Sequence, residues 1–94
     1  MHCRRHVMRG RVVFALCDRE LIGNVYREGN AVLDLDKHRG FYIGEDLGLF
    51  NGEFESVNAV GRKSTDYIVG KGLAEKGDVR LVCGVPHIQI YKIK

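Results

Sequence analysis

From His87 onward the chain alternates with a period of two: Ile88 and Ile90 fall on one side, His87, Gln89 and Tyr91 on the other. The pattern predicts a final strand with one apolar face and one hydrogen-bonding face. In front of it, Gly84-Val85-Pro86 holds the chain's only proline and predicts a corner. The strongest apolar run, Val12 to Cys17, predicts a buried central strand stopped by Asp18. Before it, His2 to Met8 alternates without a clean apolar face, as an edge strand blunted by charge does, and Arg9-Gly10-Arg11 supplies a turn.

Further along, Ala31 to Asp36 alternates with Ala31, Leu33 and Leu35 on one face, which predicts a third strand. Between residues 19 and 30 the turn signals Gly23-Asn24 and Glu28-Gly29-Asn30 flank Val25-Tyr26. Lys37-His38-Arg39-Gly40 reads as a loop and Phe41 to Glu45 as a short extended piece. Leu47, Phe50, Phe54 and Val57 stand at helical spacing and predict a first helix over 46–57, weakened by Gly48 and Gly52. Asn58-Ala59-Val60-Gly61 then joins it to a second helix. That helix has Ser64 as cap, Asp66 in its first turn, Ile68, Val69, Gly72 and Leu73 on one face, and Gly77 as its left-handed terminator. Val79 to Cys83 predicts the next strand. The order β-β-β-α-α-β-β predicts an α+β fold: one domain over residues 1–94, with a mainly antiparallel sheet and two helices packed on one face.

Composition adds few constraints. A chain of 94 residues with 45% hydrophobic and 29% charged side chains forms one globular domain with a small core. No apolar run is long enough to cross a membrane, and no secretory core follows the basic start, so a cytoplasmic protein is expected. Cys3, Cys17 and Cys83 are odd in number and far apart, which does not suit a disulfide framework. Charge is uneven. Residues 1–13 carry Arg4, Arg5, Arg9 and Arg11 and no acid, while the rest of the chain is close to neutral. Such an end attracts phosphate or an acidic partner, or is simply a solvated strand.

No catalytic or cofactor signature is complete, so no cofactor is expected. His2, Cys3 and His6 are zinc-type residues, but adjacent strand positions face opposite ways and no CxxC pair is present; no metal site is expected. Cys17 would act as a nucleophile only with a lowered pKa, with His87 as partner and Asp18 or Glu20 as orienter; as the end of an apolar run it, like Cys83, reads more readily as a small core residue. Asp18, Glu20, Asp34 and Asp36 are strand-end carboxylates, suited to a cation or to turns. Asn58, Arg62 and Lys63 lie where backbone N–H groups of a helix start would make an anion site. His87, Gln89 and Tyr91 offer an aromatic plane and hydrogen-bonding groups of the kind with which sheets hold single-stranded RNA.

The set Cys17-Asp18 with Glu20-Leu21-Ile22-Gly23, Glu28-Gly29, Phe41-Tyr42 with Gly44-Glu45, Asn58-Ala59-Val60-Gly61 and Gly84-Val85-Pro86-His87-Ile88-Gln89 resembles, in this order and almost end to end, the archaeal family catalogued as domain of unknown function 424. The resemblance implies a small archaeal cytoplasmic protein and no particular activity. Three functions stay open. The first is a module that binds RNA or a ribonucleoprotein through Arg4, Arg5, Arg9, Arg11, Asn58, Arg62, Lys63, His87, Gln89 and Tyr91. The second is a protein-interaction adaptor or homodimer. The third is a small enzyme with His87 as acid or base beside Asp18, Glu20 or Cys17.

Overall fold

The computed structural model describes residues 1–44 and 54–91, Met8 by its main chain alone. Seven strands run as β1 (His2–Met8), β2 (Arg11–Cys17), β3 (Val25–Glu28), β4 (Ala31–Asp34), β5 (Ser56–Val60), β6 (Arg80–Val82) and β7 (Val85–Tyr91). Two α-helices, α1 (Arg39–Tyr42) and α2 (Arg62–Gly70), flank β5 in sequence. Five strands make one sheet in the order β1-β2-β5-β7-β6, and β3-β4 is a separate hairpin. All pairs are antiparallel except β2 with β5. The fold is α+β with a mainly antiparallel sheet, as the alternation of the sequence indicates.

Register assigns the faces. Cys3, Leu16, Ala59 and Ile88 lie side by side across β1, β2, β5 and β7, and Phe14, Val57 and Ile90 form the neighbouring row. These residues, with Phe54 and with Ile68 of α2, make the larger core cluster. Phe14, Leu16, Val57 and Ile68 are fully buried, and each contributes about 2 kcal/mol of transfer free energy. The opposite face carries Cys17, Val60 and Val85, which pack with Leu35, Leu33, Tyr26 and Tyr42 under the β3-β4 hairpin and α1. Thus α2 covers one face, and the single-turn α1 lies on the other with the hairpin.

Four local expectations are corrected. Residues 56 and 57 belong to a strand rather than to a helix over 46–57; residues 46–53 of that segment lie outside the described residues. Val57, Ala59 and Val60 are buried because β5 lies between β2 and β7, with a layer on either side. Asn58 to Val60 is therefore not an interhelical link. Phe41 and Tyr42 end a turn of helix instead of a strand. Finally, α2 ends at Gly70, and Gly72 (φ 75°), not Gly77, takes the left-handed conformation after it.

The first turn of α2 has no acid and no local cap. Asp18, at the end of β2, fills that role from across the fold. Its carboxylate accepts the Lys63 N–H at 3.1 Å, the Ser64 N–H at 2.9 Å and the Ser64 hydroxyl at 2.8 Å. Ser64 is thus the donor to the cap and not the cap itself. The helix starts from Gly61, whose φ of 105° and ψ of 158° belong to backbone space that glycine alone enters at low cost. A Cβ there would overlap the Asp18 carboxyl group.

Candidate functional site

On the hairpin-bearing sheet face the described residues leave the β7 side exposed, whereas Ala15 on β2 is fully buried and β1 lies against residues 40–44. Beyond the rows under β3-β4, register sets Arg4, Ala15, Asn58 and Gln89 side by side, then His6, Val13, Ser56 and Tyr91. Tyr91 is 67% exposed, Gln89 is exposed, and Asn58 and Ser56 are half-buried. The Tyr91 hydroxyl donates to the Gln89 side-chain oxygen at 3.4 Å. Parity also places Arg11 on this face, at the far end of β2, whereas Arg5 points to the other face and Arg9 sits in the β1-β2 turn at φ 52°. Arg62 and Lys63 are exposed at the start of α2, on the opposite face. The structure therefore brings Arg4, Arg11, Asn58, Gln89 and Tyr91 together and leaves Arg5, Arg9, Arg62 and Lys63 apart. The N–H groups that would have held an anion beside Arg62 and Lys63 already serve the Asp18 carboxylate.

Arg80 joins this surface, although nothing in its sequence position singles it out. It lies directly opposite His87, so both side chains share the face. The pairing depends on a two-residue turn at Cys83-Gly84, where both residues have positive φ (51° and 77°), as a type I′ hairpin requires. Cysteine is an unusual residue there, and the turn stands earlier than the expected corner at Gly84-Val85-Pro86. Cys83 is exposed rather than a core residue, with its thiol 2.7 Å from the Arg27 carbonyl oxygen.

His87 marks the boundary between the covered and open parts of this face. It is half-buried, and its Nδ1 is buried without a hydrogen-bond partner. Burial, joined by the Arg80 charge, holds its pKa below the ordinary 6.5, and the Arg80 backbone offsets only part of this. The ring is therefore neutral at physiological pH and offers a polar contact, not a cation. Because the unfolded chain takes up this proton more readily, the contribution of His87 to stability is complete above about pH 6.5 and is lost as pH falls through that value towards the folded pKa. Thermal melts are expected to show a decline between about pH 7.5 and 5.5 that is shallower in His87→Gln than in the wild type; equal slopes would refute this role.

The acid–base alternative loses its geometry here. Asp18 and His87 point to opposite faces, and all contacts of the Asp18 carboxylate are with α2. Cys17 shares the face of His87 but stands two strands away with Val60 between, roughly 10 Å. Burial first, then the Asp18 and Glu20 charges, push the Cys17 thiol up to about 12, so it stays protonated and unreactive. Glu20 is exposed on a turn of 3-10 helix. Asp34 accepts the N–H groups of Asp36 and Lys37, and Asp36 pairs with Arg39. His2 and His6 meet main-chain oxygens of Gly44 and Phe41, each at 2.8 Å, and His6 stacks on Phe41. These contacts fasten residues 40–44 to β1, as does the Arg4 guanidinium donating to the Gly40 oxygen at 2.8 Å. Among the described residues no group of His, Cys, Asp and Glu is arranged to hold a metal.

The family model for a protein of unknown function, DUF424, matches residues 6–93. The chain belongs to the DUF424 family. A solved structure of similar fold is that of an uncharacterised conserved protein from the archaeon Methanopyrus kandleri. It has 27% sequence identity and a TM-score of 0.79, and the match covers 96% of this chain and 89% of that one. No curated protein matches the chain in sequence. DUF424 membership brings no activity with it, and the function rests on the geometry above. No helix among the described residues is long and apolar enough to cross a membrane.

Proposed function

We propose that this DUF424 protein is a cytoplasmic module that binds single-stranded RNA, free or within a ribonucleoprotein, on the open part of its sheet face. The observation that carries the reading is the row formed by Asn58 and Gln89 beside the row formed by Ser56 and Tyr91, with Tyr91 67% exposed. Three arginines edge this area: Arg80 beside β7, and Arg4 and Arg11 on the β1-β2 side. From β1 to β7 is three strand spacings, roughly 14 Å. An extended single strand crossing the sheet meets an aromatic plane, two carboxamides and cations at both ends, the combination that holds unpaired nucleotides. The Arg4 guanidinium spends one N–H on Gly40 and retains others for phosphate. Three free thiols accord with a cytoplasmic location.

The test is fluorescence anisotropy with a labelled single-stranded RNA of mixed sequence at low salt. Tyr91→Ala is expected to weaken binding by roughly 10-fold, the effect of one lost base stack. Arg80→Ala and Arg4→Ala should each lower the slope of log K against log salt by about one. Folded protein that binds no RNA at about 50 mM salt would end the proposal.

A further inference from the structure

Beyond His87 the main chain of β7 has a side with which no strand pairs among the described residues. The Gly61 N–H donates to the Pro86 carbonyl at 2.7 Å, which makes Pro86 and Gly61 a hydrogen-bonded pair. In an antiparallel ladder such pairs alternate. Ile88 and Ile90 therefore direct N–H and C=O towards β5, and His87, Gln89 and Tyr91 direct theirs away from it. On that outer side β6 satisfies Val85 and His87, then ends at Arg80 opposite His87. Gln89 and Tyr91 lie beyond the end of β6, and among the described residues no strand pairs with their outer side.

A cleft of about 500 Å³ occupies this place. Its wall opposite β7 is the segment from Leu73 to Val79, including Gly77, and Arg80 stands at its end. Leu73, Ala74, Val79 and Ile90 are half-buried apolar residues packed at the margin of the larger core. Two charged side chains of opposite sign line the cleft, Asp78 and Arg80, and they differ in how they are engaged. The Asp78 carboxylate in the wall is already engaged by the Glu75 N–H at 2.9 Å, while Arg80 makes no ion pair among the described residues.

The geometry points to this cleft as a docking site for an extended acidic peptide of a partner protein, which adds as a strand beside Gln89–Tyr91 in the track that β6 leaves empty. Outward N–H and C=O groups two residues apart, roughly 7 Å, are what an added antiparallel strand pairs with. Apolar side chains of the peptide, on one side of its pleat, lie against Leu73, Val79 and Ile90, and an acidic residue meets Arg80. The site uses the strand's main chain, and of the groups proposed to contact RNA on the adjacent face it shares the Arg80 side chain.

The test uses a short capped peptide alternating glutamate with valine, and its lysine–valine counterpart. Amide hydrogen exchange of the full chain is expected to slow about tenfold or more at Gln89 and Tyr91 with saturating acidic peptide, while Ile88 and Ile90 stay unchanged. The lysine peptide should bind about tenfold more weakly, and Arg80→Glu should reverse that preference. Gln89→Pro, which removes an outward N–H, should abolish binding, while Gln89→Ala should keep it; exchange and far-UV circular dichroism confirm that each variant is folded. Unchanged exchange at Gln89 and Tyr91, equal binding of both peptides, or a dimer in light scattering that protects these two amides would each overturn the proposal.

Discussion

Gly61→Ala is expected to cost about 4 kcal/mol of stability or more, the largest effect of any conservative change here. Two effects combine. The backbone at φ 105°, ψ 158° costs a side-chain-bearing residue about 1–3 kcal/mol. The new Cβ also displaces the Asp18 carboxyl, so the start of α2 loses its cap and the buried Ser64 hydroxyl loses its acceptor, about 1–3 kcal/mol more. A domain of this size holds roughly 5–15 kcal/mol in total, so the variant loses at least about a quarter of its stability. Urea unfolding followed by circular dichroism measures it; a drop under about 1 kcal/mol would refute the strained contact.

Asp18→Ala follows, at about 3 kcal/mol, or a fall in Tm of roughly 12–20 °C. It deletes the acceptor of three hydrogen bonds in a site where Asp18 is 3% exposed. Asp18→Asn retains one acceptor oxygen and should lose less. The two positions should also couple. The alanine Cβ at 61 has less to strike once Asp18 is truncated, so the double variant should fall short of the summed single effects by about 1 kcal/mol or more. Strict additivity would mean that Gly61 and Asp18 do not meet.

Neither effect has a signal in the local sequence. Asp18 caps a helix that starts 44 residues later, and only the β2-β5 pairing brings the two together. A local search for a cap therefore chose Ser64, which is in fact a donor to it. Strand β7 is legible by alternation because one side faces a core and the other is polar, and β2 is legible as an unbroken apolar run because it is buried on both sides. Strand β5 alternates as well, with Ser56 and Asn58 on one face and Val57 and Ala59 on the other, but only over four residues before Val60. Val57, Ala59 and Val60 are buried on both faces, and the spacing of Phe54 and Val57 equally fits a helical turn. The exposed polar face of Gln89 and Tyr91 follows from period two alone, but its arginine neighbours do not. Arg80 reaches it through a hairpin with Cys83 at positive φ, a turn for which cysteine is no sign. Arg5 and Arg9 are basic in sequence yet belong elsewhere in space, since successive strand residues alternate sides and Arg9 is consumed by the turn.

The same placement explains why the basic start of the chain matters less as a charge cluster than as a clamp. His2, Arg4 and His6 each reach a carbonyl of residues 40–44, and that holds the segment carrying Phe41 and Tyr42 against the sheet. What remains open beside it is the surface proposed to contact RNA.

The most direct test of that proposal is to titrate a short single-stranded RNA into isotopically labelled protein and follow amide shifts residue by residue. We expect the largest changes at Ser56, Asn58, Gln89 and Tyr91, with smaller ones at Arg4 and Arg80, and little on α2. Changes confined to the Arg9 turn or to Arg62 and Lys63, or none at all, would contradict the open sheet face as the contact surface.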